Sequence, residues 1–236
     1  MNNTFTKMHG CGNDFVIVDA SRSNTNLNIF LKQANRRTGI GFDQLLWIEK
    51  DHDIVNMMIY NADGSQAFNC GNGLRCVAAY VNHHWGAIYT QIRIGNQLYP
   101  FVENNGCYSV LMPSPSHLIQ MGHFDLVEVG NRHLVLWQDE TIQNIESLSK
   151  QYDANVHQVT MQEGGLILKP FERGVGWTQA CGSGALAAYW SAHQRSKAIS
   201  MVKMPGGSLH IQPDSNGGWL SGPTAFVYEG KLTITD

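Results

Sequence analysis

The stretch Phe68–Val81 reads FNCGNGLRCVAAYV, and Gln179–Trp190 reads QACGSGALAAYW. Each sets a cysteine before Gly-polar-Gly and then an apolar run rich in alanine. Cys70 and Cys181 stand 111 residues apart. The glycines allow a tight turn and close approach of a ligand to the backbone. The alanine and long apolar side chains that follow predict a buried helix. Each cysteine is therefore expected at a helix N-terminus, where free N–H groups and the positive end of the macrodipole favour an anion. The same field draws a thiol from a pKa of about 8.5 into the roughly 3.5–7.5 range of activated cysteines.

The repetition extends beyond the cysteines. Gly12-Asn13-Asp14-Phe15 leads into VIV, and Gly130-Asn131-Arg132-His133 leads into LVL. Each reads as a turn feeding a buried strand. A helix-like segment follows in both halves, NLNIFLKQANRR and ETIQNIESLSKQY. Next come the strands VNMMIY, before Asn61, and LILKPF, before Glu172. The order turn–strand, helix, strand, cysteine-led helix thus occurs twice and is read as an internal duplication. Two similar α+β domains are expected, parted at the proline-bearing, loop-rich MPSPSHLIQM (112–121), with the last strands free to pack on either half. Residues 1–114 with about 222–236 form the half carrying Cys70, and 115–221 the half carrying Cys181.

Composition narrows the function classes. Apolar residues make up 43% of the 236 and charged ones 15%, which marks a packed globular chain. A formal net charge of −3 with no basic run argues against a nucleic acid or an anionic membrane as partner. The opening MNNTFTKMHG lacks the apolar core of a secretion signal, and no stretch reaches the ~18–20 apolar residues of a membrane span. Five cysteines, an odd count, argue for free thiols in a reducing, cytoplasmic setting. A zinc site is not indicated, since Cys70 and Cys76 are six apart and no HExxH occurs. Cys76 and Cys107 read as packing residues. Cys11 reads as a bystander thiol open to oxidation, and His83-His84 as a solvated pair at a helix end.

Two activated thiols facing one pocket suit a single chemistry. One removes a proton from one face of a carbon while the other returns a proton to the opposite face, the pair titrating as a coupled unit. N–H groups at the helix starts would hold the carboxylate that gains charge as the α-proton leaves.

At these residues the chain resembles the diaminopimelate epimerase family. The likeness runs through FTKMHGCGNDFVIVD (5–19), GFDQLL (41–46), NADGSQAFNCGNGLRC (61–76), GNRH (130–133) and ERGVGWTQACGSGALAA (172–188), and on to PGG, LSGP and YEG near the C-terminus. It implies an α+β fold of two pseudo-symmetric domains, each a mixed barrel-like sheet around a central helix. It implies interconversion of LL- and meso-diaminopimelate, in lysine biosynthesis, without pyridoxal phosphate, other cofactor or metal. Cys70 and Cys181 match the two bases. Gly71, Asn72, Gly182 and Ser183 match the helix starts that hold the reacting carboxylate. Asn13, Gln44, Asn61, Asn131, Glu172 and Arg173 match the substrate-binding set, with Arg173 suited to a bidentate grip on the distal carboxylate. His133 and Glu172 resemble the pair that poises the thiols. A further binding asparagine falls on Asp153 without a gap or on Asn155 with a small deletion. Cys11, the Arg of GNRH and Trp177 depart from the usual pattern. The partner implied is a small amino-acid substrate, and a homodimer is compatible. The alternatives are a racemase of another amino acid and a non-catalytic amino-acid-binding protein.

Overall fold

The computed structural model describes residues 3–21, 26–137 and 144–233. In chain order the elements are β1 (Thr4–Gly10), β2 (Asn13–Asp19), α1 (Leu27–Leu31), β3 (Gln44–Asp51), β4 (Ile54–Asn61), β5 (Gln66–Ala67), α2 (Gly71–Trp85), β6 (Gln91–Ile94), β7 (Gln97–Asn104), β8 (Cys107–Pro113) and β9 (His117–Met121). Then follow β10 (Phe124–Val129), β11 (Asn131–Leu136), α3 (Ile145–Tyr152), β12 (Asn155–Gln162), β13 (Gly165–Glu172), β14 (Gly176–Trp177), α4 (Gly182–Gln194), β15 (Met201–Met204), β16 (Gly207–Asp214), β17 (Gly217–Gly222) and β18 (Ala225–Lys231). The chain divides into two compact units, Met1–Val110 with Thr224–Asp236, and Leu111–Pro223.

The units share one pairing scheme. In the first, β1 is antiparallel to β18 and β2, β2 parallel to β3, β3 antiparallel to β4, β4 parallel to β6, and β6 antiparallel to β7. In the second, β10 is antiparallel to β9 and β11, β11 parallel to β12, β12 antiparallel to β13, β13 parallel to β15, and β15 antiparallel to β16. The late strand β18 thus has in its unit the place that β9 has in the other. Each parallel step is bridged by a helix, α1 or α3 for the first and α2 or α4 for the second, as parallel neighbours require.

Residues alternate between the faces of each sheet. Val16 and Val18 on β2 pack outward with Phe30 of α1, Leu45 and Trp47, which leaves Phe15 and Ile17 on the other face. In the second unit Leu134, Leu136, Val156 and Phe171 pack with Ile145 below α3, which leaves His133, Val135 and His157 on the side of α4. The helices α2 and α4 pack against strands of their own units and are buried almost all round. Gly71 through Val81 are all buried. A helix apolar on every side belongs inside a core, which is what the alanine-rich sequences call for.

Several details differ from the sequence reading. The loop expected over 112–121 contracts to three residues between β8 and β9, because Pro113 and Pro115 sit at and beyond a strand end, where no ladder N–H is needed. Residues 140–143 of the second helix-like segment lie outside the described residues, and α3 begins at Ile145 with Asn144 as its cap. Cys76 is buried as expected, whereas Cys107, the first residue of β8, is exposed. His83 is exposed, but His84 is half-buried, tilted on Tyr80 with ring centroids 4.3 Å apart and 3.2 Å from Glu229. No helix among the described residues is long and apolar enough to cross a membrane.

A buried charge fastens α4 to the sheet. Asp125 on β10 is fully buried and accepts from Arg195 Nε at 2.8 Å and Nη2 at 2.7 Å, from Trp137 Nε1 at 3.2 Å and from Ser191 Oγ. Asp125→Ala removes the acceptor and strands a largely buried guanidinium, so chemical denaturation is expected to show a loss of about 3–5 kcal/mol.

Candidate active site

Each of the two cysteines is the N-cap of its helix. Cys70 has φ −157° and ψ 96°, and its sulfur accepts from Gly73 N at 3.3 Å. Cys181 has φ −132° and ψ 108°, and its sulfur accepts from Gly184 N at 3.3 Å. An extended cap residue whose side chain takes the N–H three residues on is the N-cap arrangement usually filled by Ser, Thr, Asp or Asn. Here a thiol fills it twice. Neither pairs in a disulfide, and Cys70 is half-buried while Cys181 is buried.

Around Cys70 the unit assembles polar groups from three elements. Asn13, at the start of β2, turns Oδ1 to the sulfur at 3.8 Å and to Asn72 Nδ2 at 3.4 Å. Its Nδ2 donates to Asp43 at 2.8 Å. Gln44 and Asn61 face one another across β3 and β4, with Gln44 Nε2 donating to Asn61 Oδ1 at 2.9 Å. Asn61 Nδ2 in turn donates to Ser65 Oγ at 3.0 Å. Gln44 Oε1 is buried without a hydrogen-bond partner, an acceptor left open at this spot. Asp14 anchors the loop, held by Lys7 at 2.5 Å and Arg36 at 2.6 Å. Burial works to raise its carboxyl, but hydrogen bonds and charge from Arg36 and Lys7 outweigh that and hold it well below the usual carboxylate range.

Around Cys181 the partners are different. His133 and His157 are wholly buried, their rings stacked with centroids 5.1 Å apart and Nδ1 of His133 2.8 Å from Nε2 of His157. His133 Nε2 meets Asn131 Oδ1, also at 2.8 Å. A carbonyl oxygen only accepts, so His133 Nε2 donates and its Nδ1 accepts from His157 Nε2–H. The lone pair of His157 Nδ1 is then left without a partner. Burial, followed by the neighbouring imidazole, holds His133 well below the ordinary histidine pKa, and burial brings His157 down to about 3. Both rings are neutral at pH 7.

One nitrogen of each ring and Cys181 Sγ lie within 4.8 Å of one another. Two Zn–N bonds of 2.0–2.1 Å at a tetrahedral angle would put the nitrogens about 3.3 Å apart. The observed 2.8 Å is the spacing of a hydrogen bond rather than of a shared ion. Ser183 Oγ is 3.6 Å from the sulfur, and Cys181 N points at Met204 Sδ at 3.4 Å.

The remaining expected residues gather at the ends of β12 and β13. Asn155 accepts the backbone N–H of Arg173 at 2.9 Å. The guanidinium of Arg173 is bound to Asp153, which caps α3 with φ 50°. Asn155 is buried and Asp153 exposed, so the two candidates for one binding position have separate roles toward the same arginine. Glu172 accepts from Thr178 Oγ1 at 2.7 Å. Trp177 is exposed and packs edge-on against Phe171.

Comparison with known proteins gives this arrangement a lineage. Residues 5–96 match the family model described as diaminopimelate epimerase. The chain is 33% identical to the diaminopimelate epimerase of Acinetobacter baylyi, over 98% of this chain and 97% of that one. This chain belongs to the diaminopimelate epimerase family. It is therefore an isomerase. Solved structures at lower identity share the fold. A phenazine biosynthesis PhzF-family protein of Enterococcus faecalis superposes with TM-score 0.76 at 12% identity, covering 99% of this chain and all of that one. A hydroxyproline epimerase of Agrobacterium vitis, solved with bound trans-4-hydroxy-L-proline, gives 0.69 at 12% over 99% and 93%.

Three residues that shape the surroundings of this epimerase's cysteines were not singled out from the sequence: Asp43, Arg75 and His157. The duplication carried a signal for two of them. An offset of 111 sets His157 opposite Leu46 and Arg75 opposite Leu186, polar against apolar in each case. Cys11, read as open to oxidation, is instead buried; its φ is 54°, and burial raises its pKa against the opposing pull of Arg75.

Two outcomes are expected here. A Cβ at Gly184 would meet His157 Nε2 at 2.4 Å. Gly184→Ala is thus predicted to displace that ring at a cost of about 1–3 kcal/mol, seen in thermal unfolding. Asp14→Asn should cost about 1–3 kcal/mol at pH 7. A carboxyl with a depressed folded pKa contributes stability above its unfolded value of about 3.9 and loses it as pH falls toward the folded one. The gap between Asp14→Asn and the parent should therefore begin to narrow at about pH 4 and go on narrowing as the pH falls further in urea titrations.

Proposed function

We propose that the chain is a diaminopimelate epimerase that inverts one centre of the LL substrate to the meso form, using Cys70 and Cys181 as two bases. The observation that carries this reading is the paired capping geometry: two units of one topology, each starting its buried helix with a thiol that accepts the N–H of a Gly-polar-Gly turn. In this mechanism one thiolate takes the α-proton and the other thiol delivers a proton to the opposite face. The N–H groups at Gly71–Asn72 and Gly182–Ser183 stabilise the carboxylate as it becomes an enediolate. The two halves, 1–114 with 222–236 and 115–221, each supply one base, and Asn13, Gln44, Asn61, Asn131, Asn155, Glu172 and Arg173 bind the rest of the substrate. No added cofactor is needed. The free thiols suit a cytoplasmic enzyme of lysine biosynthesis.

A second reading, racemisation of another amino acid, is favoured by one contact. The Arg173 guanidinium assigned to the distal carboxylate is bound to Asp153, and a substrate with no second carboxylate would leave that pair intact.

Incubation with LL-diaminopimelate in D₂O, following α-proton loss and meso product together, tests the first reading. Exchange with meso formation is expected, as is its abolition by Cys70→Ala and by Cys181→Ala. Normal turnover in either variant would refute the two-base assignment. Exchange with another amino acid and none with diaminopimelate would favour the second reading.

A further inference from the structure

Four polar side chains of the first unit form a hydrogen-bond chain whose direction is fixed at both ends. Arg75 Nη2 donates to Asn72 Oδ1 at 2.9 Å, Asn72 Nδ2 to Asn13 Oδ1 at 3.4 Å, and Asn13 Nδ2 to Asp43 Oδ2 at 2.8 Å. A guanidinium can only donate and a carboxylate can only accept, whereas an amide does both and can turn end for end. Arg75 therefore decides which end Asn72 shows to Asn13, and Asp43 decides which end Asn13 turns away. The two decisions agree. Turning Asn13 over would set its Oδ1 against the carboxylate and its Nδ2 against the Asn72 amide, losing both bonds.

Each anchor is itself held. Arg75 is fully buried, and its Nη1 donates to Gly71 O at 3.1 Å. Asp43 immediately precedes β3. Its N–H donates to Asp14 O and Oδ1, both at 3.0 Å, and its carbonyl accepts from Ala62 N at 3.2 Å. Its carboxylate also accepts from Asp14 N at 3.1 Å and from Arg36 Nη2 at 2.7 Å. Asn13 follows a two-residue hairpin turn in which Cys11 and Gly12 both have positive φ, 54° and 81°. Such a turn fixes the register of its strands and so the backbone of Asn13. The torsion of its terminal amide is broad and two-fold by nature, and the hydrogen-bond chain selects one of the two settings. Oδ1 then faces Cys70 Sγ at 3.8 Å.

The other unit lacks both anchors. At the offset of 111, Arg75 and Asp43 correspond to Leu186 and Ala154, which are buried and apolar. Asn131, at the start of its strand as Asn13 is of its own, turns Oδ1 to His133 Nε2 at 2.8 Å. The repeated asparagines thus offer opposite ends, a carbonyl oxygen from Asn13 and an N–H from Asn131. We propose that Asp43 and Arg75 are positioning residues that lock the amides of Asn13 and Asn72, so that a substrate meets a carbonyl acceptor beside Cys70 and must bring an N–H or O–H to it. The lock belongs to the chain without substrate; its effect on turnover rests on the reading above, in which Asn13 binds substrate.

Isotope-edited NMR of the full chain without substrate reads the lock directly. The Asn13 side-chain amide, assigned by its loss in Asn13→Ala, is expected to exchange with water at least about tenfold more slowly than in Asp43→Ala, which copies Ala154 and removes the acceptor. Arg75→Leu, which copies Leu186, should shift the Asn72 amide signal and the Asn13 signal with it. Where that buried change prevents folding, Asp43→Ala, at an exposed position, decides. In turnover, followed by α-proton exchange, Asp43→Ala should lower kcat/KM by about tenfold or more. Because Asp43 acts through Asn13, adding Asp43→Ala to Asn13→Ala should change kcat/KM by less than about twofold. An Asn13 amide unaltered by Asp43→Ala, or losses that multiply in the double variant, would overturn the proposal. If no amino acid is exchanged, the epimerase reading fails and the amide spectrum alone decides the lock.

Discussion

Each unit of this epimerase encloses one helix on nearly all sides, and a helix so placed must satisfy its first N–H groups without water. The cap therefore has to come from the chain itself. At Cys70 and Cys181 it comes from sulfur, a weak acceptor as a thiol and a much better one as a thiolate. The hydrogen bond that stabilises the helix start is thus also one that a thiolate accepts better than a thiol. Burying the helix enforces the cap, and the cap places an ionisable group where the dipole and a row of N–H groups converge.

The surrounding sheet decides what else can approach that sulfur. A strand presents alternate residues to each face, so the side facing the helix is set by register alone. In the first unit β2 and β3 send Phe15 and Leu46 to the side facing α2, while in the second β11 and β12 send His133 and His157 to the side facing α4. The backbone scheme is repeated, but the side chains beneath the two caps are not. Gly184 is tied to this difference, since the imidazole of His157 occupies the space that a Cβ would need.

Charge is managed differently in the two units as well. In the second, Asp125 and Arg195 neutralise one another at the end of α4 away from the cysteine. In the first, Arg75 is fully buried in the first turns of α2 and donates to Gly71 O and Asn72 Oδ1. A buried cation held by a backbone carbonyl and an amide oxygen differs from one neutralised by a carboxylate, as Arg195 is by Asp125.

The repeated cysteine-led helix starts were legible in the sequence because Cys-Gly-polar-Gly followed by alanine is a local pattern, and so were the strands at VIV, LVL, VNMMIY and LILKPF. Asn13 and Asn131 were singled out too, from the repeat and the family resemblance, and the structure sets Asn13 Oδ1 3.8 Å from Cys70 Sγ and Asn131 Oδ1 2.8 Å from His133 Nε2. What the pattern did not disclose were β1 and β10, and the hydrogen-bonded pairing of β18 with β1, which depends on partners more than two hundred residues apart. Arg75 read as an ordinary helix residue and His157 as a strand residue. Only strand register and helix packing make Arg75 a fully buried cation and bring His157 close to Cys181. The sequence by itself determined the duplication and the two caps, since both are matters of local spacing. Only the tertiary structure decided that α2 buries Arg75 and that two imidazoles lie close to Cys181, because burial and register are properties of the assembled sheet.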